Sequence, residues 1–171
     1  MLTNIDLLNI AEYYKLPIID ITMKDELPRK VVNGGYIINL QSSTVGMGTH
    51  WCCLFIDKKE AVYMDSFGML PPVEVEAFIK KRKGVHLYYN HWEIQDIKSD
   101  ACGWYCIACL DYINKHLQHN DLYHSFNTFI NGFSTNTLEN ESILHSYYIS
   151  AVGEGKPPPK LLRFKKSHRN I

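Results

Sequence analysis

Apolar residues along the chain switch between helical and strand periods, and the switches mark out its elements. Leu7, Leu8, Ala11 and Tyr14 recur at helical spacing behind Thr3 and Asn4, both good helix caps, so a helix is predicted over 3–16. The stretch around Pro17 and Pro28 reads as loop, and Gly35-Tyr-Ile-Ile-Asn-Leu40 as a short strand. Residues 41–49, rich in Ser, Thr and Gly, form a polar loop that leads to His50. Trp51-Cys-Cys-Leu-Phe-Ile56 is a nearly continuous apolar run, as in a strand buried on both faces. Ala61–Asp65 returns beside it. With Lys58 and Lys59 as a two-residue turn, Asp57 pairs with Glu60 and Cys52 faces Asp65. His50 is then diagonal to Asp65 on the same face, roughly 7–8 Å away at the backbone. A slip of one residue would put the two on opposite faces.

Further on, Pro71-Pro72 opens a short helix through Val75, Phe78 and Ile79 to Lys80-Lys81-Arg82-Lys83, and Gly84 ends it. Val85, Leu87 and Tyr89 predict a strand reaching Trp92 and Ile94, followed by a loop over 95–101. From Cys102 to Leu117 the pattern is apolar almost all round, which is the signature of a helix at the centre of a domain. Amphipathic helices follow at about 121–131 and 139–151. Pro157-Pro-Pro159 cannot be helix interior. The chain therefore divides into one domain over 1–152 and a proline-linked tail over 153–171.

Composition narrows the class. A chain of 171 residues, 46% hydrophobic and 21% charged, is globular and large enough to bury roughly two thirds of its unfolded surface. The N-terminus shows no basic region followed by an apolar run, and no stretch approaches 18 apolar residues. Five cysteines give no even disulfide framework. Reduced thiols, a cytoplasmic or nuclear setting, no secretion, no membrane partner and a monomer are expected. Net charge is zero but uneven: six basic residues against Glu154 make the tail +5, which leaves −5 on the body. Attraction to nucleic acid would fall to the tail, with Lys165 and Lys166, and to the run Lys80, Lys81, Arg82 and Lys83. A solubilising tail and a solvated helix end explain the same charges more plainly.

Candidate chemistry centres on Gln95-Asp-Ile-Lys-Ser-Asp-Ala-Cys102-Gly103. A thiol at the mouth of a helix sits where the helix dipole stabilises negative charge, which suits a nucleophile. His50 is the candidate base and acid, Asp65 the carboxylate that orients its imidazole, and Gln95 an oxyanion donor beside the Cys102 backbone N–H. Trp51 is expected to shield the histidine or shape a narrow cleft, and also fits a core role. Cys52, Cys53, Cys106 and Cys109 read as packing residues. A rival reading takes Cys106-Ile-Ala-Cys109 as a zinc or redox CxxC, although it falls inside an apolar helix rather than in a turn or at a helix start. An isopeptidase acting on ubiquitin-like conjugates would use the same constellation, and a non-catalytic, DNA-binding scaffold would use the basic segments instead. No metal and no required cofactor are expected.

Gly48-Thr-His50-Trp51, Tyr63-Met-Asp65-Ser-Phe67-Gly68 and Gln95-(six residues)-Cys102-Gly103 resemble the maturation cysteine proteases of the adenain type, within the SUMO-protease clan. Among these the likeness is greatest to the proteases of virophages and Maverick/Polinton elements, over about residues 28–150. The resemblance implies an α+β fold, a central mixed sheet surrounded by helices with the nucleophile opening the core helix. It implies a triad of His50, Asp65 and Cys102 with Gln95 in the oxyanion hole. The implied substrates are viral capsid and core precursors cut near glycine, at the assembly site in host cytoplasm or nucleus and in the virion. A peptide or DNA activator belongs to the same resemblance. Two departures bear on it: Asp65 stands where adenain has Glu, and the region around Gly84 lacks a cysteine, so disulfide-linked peptide activation is not expected.

Overall fold

The computed structural model describes residues 1–46 and 48–152. Helix α1 (Asn4–Tyr13) starts in a capping box: the Thr3 hydroxyl accepts from Asp6 N–H at 3.2 Å, and the Asp6 carboxylate accepts from Thr3 N–H at 2.8 Å. Strands β1 (Ile18–Met23), β2 (Gly34–Asn39), β3 (Trp51–Asp57), β4 (Glu60–Met64) and β5 (His86–Tyr89) form one sheet in that spatial order. The outer pairs β1–β2 and β4–β5 are parallel, and β2, β3 and β4 run antiparallel. Helices α2 (Val73–Lys80), α3 (Cys102–His116), α4 (Leu122–Asn131) and α5 (Thr137–Val152) complete an α+β fold with a mixed sheet.

Alternation along the strands splits the core between the two faces of the sheet. Tyr36, Ile38, Cys52, Leu54 and Tyr63 pack with Val75, Phe78 and Ile79 of α2. Ile37, Cys53, Phe55, Val62 and Met64 pack against α3, which is buried along most of its length and is enclosed by α1, α4 and α5. The β3–β4 turn has the expected register, with Asp57 opposite Glu60 and Lys58 at φ +50°.

Three expectations need correction. Residues 18–23, expected as loop between two prolines, form β1. Ile18, Ile19, Ile21 and Thr22 favour extended backbone, and a half-buried outer strand leaves only a weak apolar pattern. The strand expected to reach Trp92 and Ile94 stops at Tyr89, because the Asn90 side chain turns inward and binds the Asp65 backbone in place of a further ladder bond. Helix α2 ends at Lys80, so Lys81, Arg82 and Lys83 lie beyond it. The tail over 153–171, with Lys165 and Lys166, lies outside the described residues. No helix among the described residues is long and apolar enough to cross a membrane.

Candidate active site

The β3–β4 register decides the first contact. His50, just before β3, places Nε2 2.9 Å from Oδ1 of Asp65, just after β4. Asp65 is fully buried, and its carboxylate is held from three sides: Oδ1 also accepts from Phe67 N–H at 2.8 Å, and Oδ2 accepts from the Cys52 thiol at 3.2 Å. Its main chain is clamped by Asn90, whose Oδ1 accepts from Asp65 N–H at 3.1 Å and whose Nδ2 donates to Asp65 O at 2.6 Å. The Phe67 ring stacks on the imidazole with centroids 4.7 Å apart.

On its other side the Cys102 sulfur lies close enough to act on the His50 imidazole. With Nε2 committed to Asp65, Nδ1 is the nitrogen left to serve the sulfur. Burial pulls the imidazole pKa down, but the Asp65 hydrogen bond and charge, with the nearby Cys102 sulfur, outweigh it and raise the pKa from 6.5 to about 9. The imidazolium is therefore the resting form at neutral pH.

Cys102 is the first residue of α3, whose start carries no side-chain cap. Its own N–H lies in the first turn, where backbone donors have no partner within the helix. Gln95 is buried, and both ends of its amide are fixed: Oε1 accepts from the Ser66 hydroxyl at 2.6 Å, and Nε2 donates to the Ser99 carbonyl at 2.9 Å. Its second amide proton has no partner among the described residues. Ser66 adds a backbone tie, its carbonyl accepting from Gln95 N–H at 3.0 Å. A sharp turn at Gly68 (φ +70°) follows, where a Cβ would come within 2.6 Å of the Trp92 carbonyl carbon.

Some expected site residues are placed differently. Trp51 is buried and donates its indole N–H to the Leu2 carbonyl at 2.8 Å, so it belongs to the core, and the ring stacked on the imidazole is Phe67. Within the basic run, Arg82 is engaged by the Val31, Lys58 and Asn33 oxygens. Lys81 reaches the Pro28 carbonyl, Lys80 pairs with Glu76, and Lys83 is exposed. The run is thus partly structural.

Cys106 and Cys109 are buried in α3, in the same core cluster as Cys53. Among the described residues, three potential metal-ligand atoms converge within 4.8 Å at His50, Cys52 and Asp65, not at the CxxC. Those atoms already hydrogen-bond one another. Periodicity and motif spacing assigned no site role to Cys52, Ser66, Phe67 or Asn90. The expected facing of Cys52 and Asp65 was the available signal for the first, while the remaining three depend on loop geometry that periodicity does not encode.

No protein-family model and no curated protein sequence matches the chain. Among solved structures, the selenomethionine form of the ASFV pS273R protease aligns with a TM-score of 0.51 at 16% identity, over 75% of this chain. The chain shares its fold with that protein. The chain spans 62% of the length of that protease. AvrA delL154 with IP6 and CoA aligns at a TM-score of 0.46 and 14% identity, over 80% of this chain and 56% of the AvrA chain. On this fold Cys102 opens the central helix, and His50 sits just before β3, the middle strand of the sheet.

Proposed function

We propose that this protein is a cysteine endopeptidase that cleaves viral capsid and core precursors at glycine-containing sites. The observation that carries the reading is the imidazole of His50 bound to the buried Asp65 Oδ1 and placed near the Cys102 thiol, which opens a central helix.

The chemistry follows from the placement. The Cys102 thiolate attacks the scissile carbonyl carbon, and the carbonyl π electrons move to oxygen. That oxyanion is received by the Cys102 N–H and the free amide proton of Gln95. Collapse expels the amine, which takes the proton from imidazolium His50, and leaves a thioester on Cys102. Neutral His50 then takes a proton from water as the water attacks the thioester, and the thiolate departs. Asp65 stabilises the imidazolium in both halves. Asp65 supplies the carboxylate that adenain-type enzymes draw from Glu, so the role is retained. The reading places the enzyme at the assembly site and in the virion, acting as a monomer. Peptide or DNA acts on it, if at all, without a disulfide.

The test is cleavage of capsid precursors and glycine-containing peptides beside Gly-Gly-ended ubiquitin and SUMO conjugates, with Cys102→Ala as control. Cysteine-dependent cutting of the precursors supports the reading, and cutting of the conjugates alone would convert it to an isopeptidase. Absence of any thiol-dependent turnover, with or without added DNA, would reject it.

A further inference from the structure

We propose that Cys52 is a positioning residue of this site, its buried thiol orienting the Asp65 carboxylate toward His50. The inference rests on the catalytic reading above and assigns a role to a residue that periodicity marks only as core.

Sγ of Cys52 lies 3.2 Å from Oδ2 of Asp65, the carboxylate oxygen that the histidine does not use. Both residues are fully buried, so no solvent competes for that oxygen. A carboxylate oxygen left bare in such a place is costly, and the carboxylate would rotate or take up a proton to escape the cost. A thiol is a donor only while protonated. Burial, followed by the neighbouring Asp65 charge, pushes the Cys52 pKa well up, which keeps the S–H in place at every working pH. The Tyr63 hydroxyl is buried nearby and has no hydrogen-bond partner among the described residues, so Asp65 is the one group bonded to the Cys52 sulfur there. The hydrogen bonds thus run from Cys52 through Asp65 to His50, across one antiparallel pair and toward the helix that carries Cys102. The titratable groups facing Cys52 are Asp65, Tyr63 and Cys53, and those facing His50 are Asp65 and Cys102.

The experiment is the pH profile of Cys102 alkylation by iodoacetamide, read by mass spectrometry at each cysteine, in full-length wild type, Cys52→Ala and Cys52→Ser. It needs no peptide substrate. In the wild type the alkaline limb reports the His50 proton. Removing the donor in Cys52→Ala is expected to move that limb down by roughly one pH unit. Cys52→Ser, which restores a donor of similar size, should return it. Thermal unfolding of each variant separates this from packing, because a packing role would lower stability in both variants and leave the limb in place. An unmoved limb in a folded Cys52→Ala, or equal shifts in the Ala and Ser variants, overturns the inference while leaving the catalytic reading intact. Loss of any His50-dependent reactivity at Cys102 in the wild type overturns both.

Discussion

At the scale of single residues, His50 carries the sharpest predictions. A proton held to about pH 9 in the folded chain but released near 6.5 in the unfolded one is a stability contribution with a defined window. It is present in full below pH 6.5 and is lost as pH rises through 9. Thermal melts of wild type and His50→Ala should therefore converge as pH passes 9. Turnover should fall over the same alkaline range, as the leaving group loses its acid. Asp65→Asn keeps the shape but not the charge, and should lower kcat by on the order of 10²–10⁴, measured with any substrate the wild type cuts. The pairing of His50 with Asp65 was legible in the sequence because a two-residue turn fixes the register and so the diagonal. The stacking of Phe67 on the imidazole was not, since it depends on where the chain bends after leaving the sheet.

At the scale of elements, the segment from Asp65 to Gly68 is where strand β4 turns into machinery. Gly68 combines positive φ with a Cβ position 2.6 Å from the Trp92 backbone, which a side chain cannot push aside. Gly68→Ala should cost roughly 1–3 kcal/mol by denaturant unfolding and should depress activity more than an equally destabilising core change. Ser66→Ala removes the hydroxyl that holds the Gln95 amide. It is expected to reduce kcat roughly tenfold with KM nearly unchanged, a milder copy of Gln95→Ala, for which about 10²–10³ is expected. Helix α1 was readable from its cap and period, and α3 from a pattern apolar almost all round. Strand β1 was hidden because its outer position leaves most of its residues half-buried with no apolar alternation, and two prolines flank it. The early end of β5 depends on a single asparagine side chain, a contact that propensity does not register.

At the scale of the whole molecule, two packed faces of one sheet hold the parts in register. Ile107, fully buried in α3, carries the helix that presents Cys102, and Ile107→Ala should cost about 2–5 kcal/mol, read as a lower Tm. The basic run divides by the same logic. Arg82→Ala should lose about 1 kcal/mol of stability through its backbone contacts, whereas Lys83→Ala should alter only a weak, salt-sensitive attraction to DNA. Charge counting in the sequence could not separate these two, because it does not see which cation is spoken for. Asp65 and Ser66 are consecutive in the chain, yet one binds His50 and the other Gln95, the general acid and the oxyanion donor of the proposed mechanism. A single peptide unit therefore sets both halves of the reaction. Displacement of that unit would extinguish proton transfer and charge stabilisation together, so a population of such molecules would behave as a mixture of fully competent and fully silent enzymes, graded in number rather than in speed.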